Sequence, residues 1–107
     1  MDNDAQNVMM EMQQAQQNLQ QVMQQSEQTQ NELNGVKKSL EELETDGGQV
    51  YKAVGELMVA KDREELKEEL EERKEDLEVR MKGLERKEEK LRDKLEETQD
   101  KLSQNFQ

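Results

Sequence analysis

Val50-Tyr51-Lys52-Ala53-Val54-Gly55-Glu56-Leu57-Met58-Val59 is the stretch that decides the fold of this 107-residue chain. Val50 to Val54 is rich in β-branched and aromatic side chains. Leu57-Met58-Val59-Ala60 follows as a second apolar run. Gly55-Glu56 between them reads as a two-residue turn with Gly first, so the spacing predicts a β-hairpin at about 49–61. A lone two-stranded hairpin is marginal in water. This one carries apolar residues on both faces, because Tyr51 and Ala53 alternate with Val50 and Val54, and both outer edges offer unpaired N–H and C=O groups. Completion by hairpins of other subunits is the physical expectation. The residues expected to carry oligomerisation are Val50, Tyr51, Ala53, Val54, Gly55, Leu57, Met58 and Val59.

On the N-terminal side the period changes. Val8, Met12, Ala15, Leu19, Val22, Ser26, Thr29, Leu33, Val36, Leu40 and Leu43 step by four and three without a slip. That spacing is the seam of a left-handed coiled coil. Gln fills many of the positions between, and Gln is a fair helix former. Ser26 and Thr29 place two polar residues in successive seam positions. Two readings of them stand: a weak point that lets the helix ends splay, or a neutral polar layer that fixes register. Asn34-Gly35 lies in register with the heptad and reads as a soft spot inside a helix. The helix is expected to stop at Thr45-Asp46-Gly47-Gly48, where Gly follows the last seam leucine.

On the C-terminal side Asp62 opens a second helix, with Glu65 three residues later in the manner of a capping box. Leu70, Leu77, Leu84 and Leu91 recur every seven residues, and Met81, Leu95 and Leu102 supply much of the other seam row. Arg73, Lys74 and Glu88 intrude on that phase. Ion pairs at i,i+4 are expected for Glu69–Arg73, Glu78–Lys82, Glu88–Arg92 and Glu97–Lys101. Two helices of similar length, each roughly 60 Å long at 1.5 Å per residue, joined by a short reversing element, predict a mainly α fold. It is a long antiparallel two-helix coiled coil joined by a short β-hairpin, with both termini at the end of the rod away from the hairpin.

Composition agrees with helices that bury a narrow seam. Charged residues make up 40% of the chain, hydrophobic residues 30% and aromatics 2%, too little apolar material for a compact core of ordinary size. A disordered chain would not hold a heptad so regularly. With no Cys and no His in the sequence, the common zinc, haem and thiol sites lack their ligands, and no cofactor is expected. The many carboxylates sit on expected solvated helix faces, and no Gly-rich loop cradles a phosphate. The chain therefore does not read as an enzyme.

The N-terminus carries Asp2 and Asp4 rather than Lys or Arg and no apolar run follows, so no secretory signal is expected. No stretch approaches the roughly 20 apolar residues of a membrane span. A net charge of −11 and a pI near 4.5 oppose binding to nucleic acid and to anionic lipid. A cytoplasmic place follows as an expectation. Glu64, Glu68, Glu72 and Asp76 form a like-charge row at helical spacing, which is costly unless screened. The acidic balance points to a halophilic source.

The Val50–Val59 core leading into Asp62-Arg63-Glu64-Glu65-Leu66, with heptad helices on both sides, resembles the central segment of β-class prefoldin subunits. The resemblance covers nearly the whole chain, and the hairpin core is its most specific part. The α class carries two hairpins, so a single one marks the β class. The resemblance implies one prefoldin-like domain over 1–107: a helix at 1–45, an oligomerising hairpin at 46–61 and a helix at 62–107. It implies an archaeal-type hetero-hexamer of two α-class and four β-class subunits, joined through β-barrels built from the hairpins. It also implies a holdase that works without ATP, grips unfolded clients at the tips of its coiled-coil arms and passes them to a group II chaperonin.

From the residues themselves, a client site needs exposed apolar surface at the free end of the arms. Val8 and Met12 lie there on the seam, Met9 and Met10 face outward, and Leu102 and Phe106 lie across from them. Methionine is flexible and polarizable, which suits a surface that meets many sequences. Frayed termini with no role are the plainer reading of the same residues. A passive coiled-coil scaffold or tether is the alternative function, and it would have no use for a barrel-forming hairpin.

Overall fold

The computed structural model describes residues 3–45 and 47–105. Helix α1 runs Asn3–Thr45, strand β1 Val50–Val54, strand β2 Leu57–Lys61 and helix α2 Arg63–Asn105. Two long helices joined by a short antiparallel hairpin are thus present, as expected. Packing divides the chain into two compact units, one made of Thr29–Arg80 and the other of Met1–Gln28 with Met81–Gln107. Among the described residues no helix is long and apolar enough to cross a membrane.

The unit at 29–80 holds the hairpin. Its strands pair Val50 with Lys61, Tyr51 with Ala60, Lys52 with Val59, Ala53 with Met58 and Val54 with Leu57. Gly55 takes φ 60° and, among the described residues, no non-glycine has positive φ, which fits a II′ turn with Gly at its first central position. Below the sheet, Thr29, Leu33, Leu66 and Leu77 are buried, while Val36, Leu40, Leu43 and Leu70 are half-buried. Leu77 is 1% exposed, and burying such a side chain contributes about 1.5–3 kcal/mol. Helix α1 continues through Gly35, where an added Cβ would meet nothing within 4 Å.

Helix α2 begins as its sequence predicts: the Asp62 carboxylate accepts a hydrogen bond from the Glu65 backbone N–H at 3.3 Å. This satisfies one of the helix's unpaired N-terminal donors. Three expectations for this helix need correction. Arg73 does not intrude on the seam; it is exposed and pairs with Glu32 of α1. Its expected partner, Glu69, instead meets Lys52 of β1. Glu78 pairs with Lys74 at 3.9 Å rather than with Lys82. Longer side chains have several carboxylates within reach, and tertiary neighbours compete with helical ones.

In the unit formed by 1–28 and 81–107, Ala5, Ala15, Val22 and Thr98 are buried. Val8, Met12, Leu19, Ser26, Met81, Leu84, Glu88, Leu91, Leu95 and Leu102 are half-buried around them. The seam row of α2 keeps Lys74 and Glu88, both half-buried, as its sequence suggests. Thr98, 0% exposed, continues the row of Leu70, Leu77, Leu84 and Leu91, and its hydroxyl donates to the Leu95 carbonyl at 2.9 Å. That local bond satisfies the polar group, so a threonine can sit where a leucine is the rule. Ala5 extends the α1 seam one step before Val8. The pairs Glu88–Arg92 and Glu97–Lys101 form as expected, at 2.9 and 3.2 Å.

Candidate functional site

Two surfaces answer to the expected functional residues, one in each unit. The first is the hairpin. Alternation places Tyr51, Ala53, Met58 and Ala60 on one sheet face and Val50, Lys52, Val54, Leu57, Val59 and Lys61 on the other. Only Val50 and Lys61 are half-buried; every other strand position is exposed. Leu57 and Met58 are 69% and 67% exposed and Tyr51 53%. Both faces thus present apolar side chains, and the described sheet has two strands, β1 and β2, so each has one outer edge unpaired within it. An apolar ribbon of this kind is stable only when something covers it.

Three side chains make contacts that the sequence does not announce in and around the hairpin. The Arg63 guanidinium donates to the Leu43 carbonyl and, at 2.6 Å, to the Gly48 carbonyl. It thereby serves a carbonyl in the last turn of α1, where intrahelical donors run out. The Gln49 amide donates to the carbonyls of Val50 and Lys61 at 3.0 and 3.3 Å, tying together the open ends of both strands. Lys52 Nζ lies 2.9 Å from a Glu69 carboxylate oxygen, and the hydrogen bond and charge of Lys52 hold the Glu69 carboxyl below its usual pKa. A cleft of about 510 Å³ opens between β1 and the helices, lined by Leu43, Val50, Tyr51, Leu66 and Leu70 among others.

The second surface lies where the start of α1 packs on the end of α2. Asp4, Asn7, Val8 and Glu11 share a cleft of about 380 Å³ with Lys101, Gln104 and Asn105. Val8, Met12 and Leu102 are half-buried in the seam, whereas Met9 and Met10 are exposed, at 38% and 67%. Phe106 lies outside the described residues. The two outward-facing methionines are therefore separate from the seam residues grouped with them in the sequence. Met23 was missed: it is 46% exposed and stands two heptads beyond Met9 on the same flank of α1.

Among the described residues no group of His, Cys, Asp and Glu side chains is placed to hold a metal ion, and the carboxylates lie on solvated helix faces.

Residues 5–107 match the family model described as "Prefoldin subunit". The crystal structure of the prefoldin beta subunit from Thermococcus strain KS-1 is similar to this chain with a TM-score of 0.87 and 39% sequence identity. The match covers 97% of this chain and 93% of that one. No curated protein matches the sequence.

Proposed function

The chain belongs to the prefoldin family of multi-subunit chaperones, as a β-class subunit, and from that premise we propose that it acts as an ATP-independent holdase. In this reading the hairpin residues Val50, Tyr51, Ala53, Val54, Leu57, Met58 and Val59, with Gly55 at the turn, join the subunit to α-class partners and to further β copies. Barrel formation in a hexamer of two α and four β subunits would cover the apolar faces and pair the open edges. The end of the coiled coil, with Val8, Met9, Met10, Met12, Leu102 and Phe106, would hold unfolded clients before they pass to a group II chaperonin in the cytoplasm.

The observation that carries this reading is that each unit leaves apolar side chains exposed in a patch of its own: the hairpin in one, the outward methionines of α1 in the other. A tether would need neither. The test is suppression of aggregation of a chemically denatured client, with and without an α-class partner, using the full chain and a variant lacking 1–12 and 103–107. Protection by the full assembly that drops on truncation supports the reading. No protection, together with a dimeric native mass, sinks it.

A further inference from the structure

We infer that the outer face of α1 between Met9 and Gln25 binds client along its length, recognising the exposed backbone of an extended, unfolded segment with apolar side chains. The inference deepens the holdase reading and rests on it. It starts from a segregation of charge. In a chain that is 40% charged, the only charged residues from 5 to 31 are Glu11 and Glu27. The part of α2 in the same unit mixes acids and bases from Lys82 to Lys101. One helix of this unit presents a solvated ionic surface, and the other a surface of amides with few charges.

The two flanks of α1 differ in kind as well. Glu11, which immediately precedes the seam residue Met12, reaches across to Lys94 at 3.5 Å, so that flank is tied to α2 by charge. On the opposite flank Met9, Gln16 and Met23 immediately follow the seam residues Val8, Ala15 and Val22. All three are exposed, and no salt bridge joins this flank to α2 among the described residues. Met9 and Met23 are two heptads apart, about 21 Å along the helix. Exposed glutamines fill the ground between and beside them.

This chemistry fits one occupant. An unfolded chain presents unpaired backbone N–H and C=O groups together with apolar side chains. A glutamine amide donates and accepts, so a glutamine surface satisfies both backbone groups without regard to sequence. Methionine supplies apolar contact that adapts to the side chain it meets. A folded, charged partner would gain little here, because there are few charges to pair. Recognition by neutral amides also carries no counterion term, so salt should leave it unchanged.

The test replaces the amides by charge without altering net charge. Gln13→Glu, Gln17→Lys, Gln20→Glu and Gln24→Lys together create two Glu–Lys pairs at i,i+4, the favourable order on a helix, so the helix is retained. A second variant, Met9→Gln with Met23→Gln, removes the apolar contacts. Full-length protein in its assembled form is titrated with a fluorescent, permanently unfolded client at 0.1 and 1 M salt. The expected result is a Kd for the parent protein that changes less than twofold with salt and rises at least fivefold in each variant. A variant that binds as tightly as the parent, or a parent Kd that climbs tenfold with salt, overturns the inference while leaving the holdase reading in place. A parent that binds no client overturns both.

Discussion

Lys94 Nζ lies 3.5 Å from a carboxylate oxygen of Glu11, and Arg73 pairs with Glu32 in the same sense. Glu32 stands three heptads after Glu11, and Arg73 three heptads before Lys94. Each acid immediately precedes an α1 seam residue and each base immediately precedes an α2 seam position. Within each unit the pairing is antiparallel with the same residue offset, and in each it sets an acid of α1 against a base of α2.

These pairs are half-exposed, so each is expected to contribute about 0.2–1 kcal/mol. Glu11→Lys alone should lower the melting temperature by setting two lysines face to face. Glu11→Lys with Lys94→Glu should recover most of the loss. A double-mutant cycle by thermal unfolding measures the coupling. Strict additivity would mean that Glu11 and Lys94 do not meet in solution.

The Ser26 hydroxyl is enclosed and has no hydrogen-bond partner. An unsatisfied buried polar group costs about 1–3 kcal/mol, so Ser26→Ala should stabilise the protein. Helix propensity also favours Ala, and Ser39→Ala on the exposed face of α1 isolates that contribution. Denaturant unfolding should show Ser26→Ala ahead of Ser39→Ala by about 1 kcal/mol. Equal gains would place a partner on the Ser26 hydroxyl.

Two glycines should respond in opposite directions. Gly83 lies inside α2 with open space where a Cβ would stand, so Gly83→Ala should add about 1 kcal/mol. Gly55 sits at φ 60° in the hairpin turn, where Ala costs about 1–2 kcal/mol. Gly55→Ala should therefore weaken the hairpin, read as slower or incomplete assembly with other prefoldin subunits by native mass. A Gly55→Ala chain that assembles like the parent would show that assembly does not depend on glycine at this turn.

The Glu69 carboxyl titrates below its usual value because Lys52 donates to it and stabilises its charged form. A lowered folded pKa gives a contribution that is complete above the unfolded value of about 4.5 and disappears as pH falls through the folded one. Both groups face solvent, so salt should shrink the effect. NMR titration of side-chain carboxyls should find Glu69 below the usual glutamate value, and Lys52→Met should return it there. An unmoved Glu69 in that variant would leave Lys52 without the role assigned to it.

Glu64, Glu68, Glu72 and Asp76 are all exposed on α2, and their mutual repulsion is open to screening. The melting temperature should climb between 0.1 and 2 M KCl. Replacing Glu68 and Glu72 by Gln should flatten that climb. A melting point indifferent to salt would remove the case for a halophilic source.

Residue type and spacing along the chain were enough to read both helices, the hairpin and its Gly55-Glu56 turn, the Asp62 cap and the outward methionines at 9 and 10. Each of these is a local matter: a period of 3.5 or 2, or a single side chain beside its own backbone. Thr98 escaped because hydropathy hides a polar residue in a seam, although counting seven from Leu91 lands on it. Only the tertiary structure could give Arg73 to Glu32 instead of Glu69, join Glu69 to Lys52, or send Arg63 to the carbonyls of Leu43 and Gly48. Those choices are made between side chains far apart in sequence. They depend on which flank of a helix meets which neighbour, and one residue's shift in register would change every partner.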